Sequence, residues 1–307
     1  MAILEVKGLS ISFTQYRKGL RQTTERVIED LHLSVMDGEV LAVVGASGSG
    51  KSLLAHAILG ILPSNAKVSE SIYYRGELLT PRRQAELRGR EIALVPQSVL
   101  FLDPLMRVGK QVRTAVRTGD PSAVQRAVFE RYRLDPSVEK RYPFQLSGGM
   151  ARRVLVSIAA VSDAKLIVAD EPTPGLDPAV VAESLSNFRE LADQGRTVII
   201  ISHDIESVLK IADRIAVFYS GTIVEIARAK DFAGNGEALR HPYTRALWRA
   251  LPQNDFHPAP ELVSTSSASS SGCPFTQGCK RVSGECLADR PKVTWLGNRM
   301  VRCIHGT

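Results

Sequence analysis

"VLAVVGASGSGKS", residues 40–52, runs five apolar residues into a glycine-rich stretch that ends in Lys-Ser. An unbroken apolar run bounded by turn residues reads as a strand buried on both faces, the kind found in parallel sheets. Residues 45–52 fit G-x-x-x-x-G-K-[ST], and a helical pattern over 51–60 follows. A chance glycine-rich turn is the competing reading, and the strand before and helix after set it aside. In that context Gly45, Ser47, Gly48 and Gly50 let the backbone aim N–H groups at phosphate oxygens. Lys51 brings positive charge to the β- and γ-phosphates, and the Ser52 hydroxyl can ligate Mg²⁺.

Further short apolar runs repeat the strand signal: "IALVP" (92–96), "LIVAD" (166–170) and "TVIIIS" (197–202). Helical patterns at 149–162, 178–193 and 205–212 separate or follow them. Strand alternating with helix predicts an α/β fold with a parallel sheet. "ILEVKGLSISF" (3–13) alternates differently and is expected in an antiparallel edge sheet. The same is expected of "IAVFYSGTIVEIA" (215–227), with a hairpin turn at Ser220-Gly221. Residues 103–145 are charged, helix-biased and free of buried-strand runs, which predicts a small helical insertion. From residue 252 a Pro-, Ser- and Ala-rich stretch has almost nothing to bury and reads as a linker.

The chain has 307 residues, 44% of them apolar and 23% charged, and a net charge of +7. That charge suits a nucleotide, an anionic membrane surface or nucleic acid and does not choose among them. No apolar run reaches the roughly 20 residues that span a bilayer. The N-terminus lacks a basic start followed by an apolar stretch, so no signal peptide is expected. A cytosolic protein whose membrane role comes through a partner is the expectation.

Asp170 ends an apolar strand, where an open α/β sheet presents ligand groups. It can hold Mg²⁺, and Glu171 beside it can polarise an attacking water as general base. An acidic loop start is the bland alternative, weakened by the phosphate loop, which needs such a carboxylate partner. Gln97, after "IALVP", can ligate Mg²⁺ or orient water. His203, after "TVIIIS", can reach a γ-phosphate from the side opposite Lys51; alone, each is a weak signal. A second anion cradle lies in "QLSGGM" (145–150), where Ser147, Gly148 and Gly149 precede a helical run.

Taken together, "GASGSGKS", "PQ" (96–97), "LSGGM", "LIVADEP", "PGLD" (174–177) and "SHD" (202–204) resemble, in order and spacing, an ATP-binding cassette (ABC) ATPase over about residues 3–230. The resemblance implies a P-loop NTPase fold: a RecA-like parallel core, an antiparallel β subdomain and a helical subdomain near 103–160, all within 1–235. It implies ATP and Mg²⁺ as ligands. Gly45–Ser52 would be Walker A, Gln97 the Q-loop glutamine and Ser147–Gly149 the signature. Asp170 would be the Walker B aspartate and a Mg²⁺ ligand with Ser52 and Gln97. Glu171 would be the base, Asp177 the D-loop aspartate and His203 the switch histidine. Phe13 is the expected adenine-stacking aromatic, with Tyr16 as fallback and core packing as the alternative for Phe13. In this family two cassettes pack head to tail, so the signature serves a nucleotide held by another chain. "ARR" (151–153) and "TPG" (173–175) depart from the commonest pattern without removing a catalytic group.

"HPYTRALWRALP" (241–252), "YRGELL" (74–79) and "LFLDPLMRVGKQV" (100–112) resemble cassettes of the peptide/nickel importer group, whose extension would fill 236–252. The resemblance implies a second ABC ATPase subunit (a paralogous heterodimer), two transmembrane permease subunits and an extracytoplasmic substrate-binding protein, with no nucleic acid. It places the chain peripherally on the cytoplasmic face of the membrane. A soluble cassette acting on nucleic acid or ribosomes is the alternative, though such proteins usually carry two cassettes or a long coiled-coil insertion.

All four cysteines lie beyond a linker at 253–272, in a tail at 273–307. Cys273, Cys279, Cys286 and Cys303 are spaced C-x5-C-x6-C-x16-C, without the paired knuckles of ordinary zinc sites. Four thiolates fit a [4Fe–4S] cluster or an irregular Zn²⁺ site equally by ligand type, and unliganded thiols are the third reading. Resemblance to dipeptide-importer cassettes favours the cluster.

Overall fold

The computed structural model describes residues 1–17, 21–173, 178–254 and 272–306. Two sheets organise it. Strands β1 (Ala2–Arg17), β2 (Arg21–Met36), β4 (Ala66–Tyr74) and β5 (Glu77–Leu78) form an antiparallel sheet in the order β2-β1-β4-β5. The main sheet contains β3 (Val40–Val44), β6 (Ile92–Val95), β7 (Leu166–Asp170), β8 (Thr197–Ser202), β9 (Arg214–Tyr219), β10 (Thr222–Arg228), β11 (Thr294–Leu296) and β12 (Arg299–Val301). Its order is β11-β12-β10-β9-β3-β8-β7-β6. The run β9-β3-β8-β7-β6 is parallel and the remaining edge antiparallel.

The apolar strands are two-faced, because successive side chains point to opposite sides of a sheet. On β3, Val40, Ala42 and Val44 join one apolar cluster and Leu41 and Val43 the other. On β8, Val198 and Ile200 divide from Ile199 and Ile201 in the same way. One face is covered by α1 (Lys51–Leu59) and the antiparallel sheet. The other is covered by α3 (Val108–Ala115), α4 (Pro121–Arg131), α5 (Gly148–Val161), α6 (Pro178–Asp193), α7 (Ile205–Leu209) and α8 (Pro242–Arg249). Short helices α2 (Pro81–Leu87) and α9 (Gly284–Ala288) complete the described α-helices.

Two expectations differ from the structure. The 215–227 hairpin turns at Ser220 (φ 45°) and Gly221 (φ 79°) as expected, but it belongs to the main sheet and not to the antiparallel edge sheet. Both strands are buried almost end to end, so the parallel neighbour β3 outcompetes the edge site. The helical pattern at 205–212 stops at Leu209.

The cysteine tail returns to the main sheet. Its hairpin β11–β12 adds to β10, pairing Val301 with Glu225 and Met300 with Ile226. Arg214, 2% exposed, locks this junction. Its Nε donates to Glu39 Oε2 at 2.9 Å, one Nη to Ser34 O at 2.7 Å, and the other to Asn298 O in the hairpin turn. Arg302, equally buried, donates to Asp30 Oδ2 at 2.8 Å and Asp30 O at 2.6 Å in β2. Among the described residues no helix is long and apolar enough to cross a membrane.

Candidate functional site

The order β3-β8-β7-β6 sets four carboxyl ends side by side, with Val44 opposite Ser202, Ile201 opposite Asp170 and Ala169 opposite Val95. The segments that follow these strands carry Gly45–Ser52, His203, Glu171 and Gln97. Gly45 and His203, 158 positions apart, therefore meet at one edge.

The phosphate-loop backbone needs its glycines for two reasons. Gly48 and Gly50 adopt φ of 72° and 102°, a region L side chains rarely enter. A Cβ on Gly45 would lie 2.4 Å from the Phe218 carbonyl oxygen, so no side chain fits there. Lys51 is 4% exposed, and its Nζ donates to Gly45 O (2.9 Å) and Ala46 O (2.7 Å). Burial lowers its pKa, against the opposing pull of Glu171 and Asp170. Ser52 Oγ donates to Asp170 Oδ1 at 2.9 Å. Burial raises the Asp170 pKa despite that hydrogen bond.

Glu171 has φ of 42°, unusual for a non-glycine residue and found where surrounding structure holds a side chain in a set direction. Its own N–H donates to Ile201 O at 2.9 Å. Gln97 Nε2 donates to Glu171 Oε2 at 3.3 Å, and His203 Nδ1 stands 3.5 Å from the same oxygen. Gln97, Glu171 and His203 thus form one cluster, while Lys51, Ser52 and Asp170 form an adjoining one.

Sequence reasoning noted "ARR" only as a departure. Arg152 has a definite place: its Nη1 donates to Glu171 O (3.4 Å) and Pro172 O (3.2 Å), tying α5 to the Glu171 backbone. Its position one turn into the signature helix was the available signal.

The signature residues stand apart. Ser147 caps α5, its Oγ accepting the Met150 N–H at 3.3 Å, and Ser147 and Gly148 are exposed. No hydrogen bond or ion pair among the described residues joins Ser147, Gly148 or Gly149 to the phosphate loop. Phe13 lies on β1, half-buried against the cluster beneath α1. Asp177 and the Tyr16 side chain lie outside the described residues.

The ABC transporter family profile matches residues 28–174, and the profile of the oligopeptide/dipeptide transporter C-terminal region matches 224–286. The dipeptide transport ATP-binding protein DppD of Haemophilus influenzae is 34% identical over 99% of this chain and 95% of its own length. The chain belongs to the ABC transporter ATP-binding proteins. The oligopeptide transport ATP-binding protein OppD of Lactococcus lactis is 36% identical over 81% of this cassette and 76% of its own length. A dimeric ATP-binding cassette in a post-hydrolysis state with ADP and Pi shares the fold, with a TM-score of 0.64, 22% identity and coverage of 74% of this chain and 98% of that one. The protein is thus an ABC ATPase, with the α/β P-loop fold of that family.

The cassette's C-terminal extension also gains a structural reading. Glu225, buried on β10, accepts the Arg240 N–H (2.8 Å) and the His241 N–H (2.9 Å). His241 Nδ1 in turn accepts the Tyr243 N–H at 3.0 Å, capping α8. Burial pushes the His241 pKa down to about 3, which keeps the ring neutral. Tyr219, Tyr243 and Phe275 pack as a three-ring cluster, with centroids 4.1–5.7 Å apart, between β9, α8 and the tail. Behind it Cys273, Cys279, Cys286 and Cys303 line one small cavity together with His241 and His305. Burial raises the pKa of Cys273 and of Cys303. Among the described residues no group of three or more His, Cys, Asp or Glu could hold a metal ion.

Proposed function

We propose that this cassette is the ATP-hydrolysing subunit of a membrane importer whose cargo is peptides rather than nickel or a metal chelate. The match of its C-terminal region to the oligopeptide/dipeptide type carries the reading, supported by the names of its relatives. Lys51 has three donors and spends two on its own loop, leaving one for a phosphate oxygen. An incoming phosphate would favour the charged lysine that burial disfavours. Ser52 and Asp170, already in contact, are the pair that would hold Mg²⁺, with Gln97 as a third ligand. When bound, the ion screens charge developing on the phosphates. Glu171 accepts the proton of the attacking water; Gln97 and His203 fix its carboxylate, and Arg152 fixes its backbone. Phe13 stacks the adenine. Asp177 acts at the cassette interface.

Ser147, Gly148 and Gly149 close over a nucleotide on a second, paralogous cassette, a reading supported by the exposure of Ser147 and Gly148 and by the lack of a described hydrogen bond or ion pair to the phosphate loop. The permease subunits dock where Leu100, Phe101, Leu105 and Phe144 are each more than 60% exposed. Large apolar side chains exposed together fit a protein partner better than water. The chain then works at the cytoplasmic face of the membrane, with cargo delivered by an external binding protein.

The four thiols are proposed to hold a [4Fe–4S] cluster. They line one cavity, and four cysteines are the right donor set. A bound cluster would supply four covalent staples to a small tail and a one-electron redox couple. Purifying the intact complex without oxygen tests the whole reading. Two permease subunits, a second cassette, and about four Fe and four sulfides per chain are expected. A chain that co-purifies with ribosomes, or whose tail carries zinc, contradicts it.

A further inference from the structure

The extension and the tail meet in a cleft of about 360 Å³, within the usual size of a small-ligand pocket. Arg240, Arg245, Arg281, Arg299 and His305 line it, with Glu237 as the one carboxylate. These residues come from three separate segments, and like charges repel unless something offsets them.

The partners already present orient these groups and neutralise them only in part. Arg240 Nη1 donates to Gly306 O at 2.9 Å and Arg245 Nη2 to Leu239 O at 2.6 Å, both uncharged carbonyls. Arg299 has one carboxylate, Asp231, at 3.5 Å. The exposed Arg281 guanidinium has no hydrogen-bond or ion-pair partner among the described residues. The Nε–H groups of Arg245 and Arg299 are buried without an acceptor. Four arginines and His305 line the cleft against Glu237 and the single Asp231 contact, so the excess positive charge points to an anion that the chain itself does not supply.

We infer that this cleft binds a small phosphorylated anion, at a site separate from the phosphate loop. A carboxylate offers its two oxygens in one plane, whereas a phosphoryl group offers three oxygens in several directions to several guanidinium forks. The cleft also adjoins the thiol cavity. His305 lines both, its Nε2 3.8 Å from Cys286 Sγ, and the Arg281 backbone N–H donates to Cys279 Sγ at 3.4 Å. The occupant therefore sits one side chain from the cysteines. The inference does not depend on what they hold.

The test is calorimetric titration of inorganic pyrophosphate into the full chain carrying Lys51→Ala, which disables the phosphate loop. One binding event per chain is expected, weakened at least ten-fold by adding Arg281→Glu and largely kept by Arg281→Lys. A parallel titration uses citrate to represent carboxylates. No binding in the Lys51→Ala chain, or binding indifferent to Arg281→Glu, overturns the site. Citrate binding tighter than pyrophosphate overturns the phosphate assignment.

Discussion

At the scale of single residues, Glu171 and the residues that hold it are proposed to do separate jobs. Glu171→Gln keeps the side chain's size but removes the proton acceptor, so nucleotide binding should persist while turnover falls by about 10²–10⁴-fold, the range of general-base contributions. Arg152 donates to the Glu171 and Pro172 backbone carbonyls, which is a positioning contact. A filter-binding assay paired with phosphate release separates the two quantities. Robust turnover by the Glu171→Gln complex would remove Glu171 from the chemistry. These residues were legible because backbone chemistry fixes them: glycines at positive φ, a buried lysine and a carboxylate at a strand tip. Arg152 was less legible, because a single arginine in a helix does not announce which carbonyls it will reach.

At the scale of elements, local pattern identified strands and helices but not every neighbour. The hairpin 215–227 looked the same for either sheet, and the choice fell to burial against β3. The β11–β12 hairpin was invisible because three-residue strands carry no periodicity, and the partner that forms them lies some 75 residues away in the chain. Its anchoring makes a prediction. Asp30→Ala leaves the buried Arg302 without its carboxylate. The cost should be about 1–3 kcal/mol, below the figure for a fully buried pair because Asp30 is half exposed. Limited proteolysis should cut the variant's tail before its core. Simultaneous cutting of both would show that the anchor is not local. A second prediction concerns α8. The folded state holds His241 neutral down to about pH 3, whereas the unfolded chain protonates it near 6.5. The unfolded state thus binds more protons between those values, and stability falls as pH drops through that window, by up to about 1.4 kcal/mol per unit from this group. Glu225, with its pKa raised by burial, acts in the opposite sense, so the comparison must be between variants. His241→Asn keeps a capping acceptor and should flatten the slope of urea midpoints against pH. An unchanged slope would mean that His241 is not the titrating group.

At the scale of the whole molecule, the chain carries a phosphate loop with Glu171 nearby and, at the start of α5, Ser147–Gly149, which no described hydrogen bond or ion pair joins to that loop. The sequence contains both motifs, and the proposal that they serve different nucleotides comes from the family resemblance, supported by the absence of a hydrogen bond or ion pair joining them among the described residues. Hydrolysis should therefore depend on a second cassette. The most direct measurement is the steady-state ATPase rate per chain, followed from nanomolar to micromolar protein, with and without the second cassette subunit. A negligible rate for the dilute isolated chain, rising as the partner is added, is the predicted result. Full-speed hydrolysis by a dilute single copy would contradict the account.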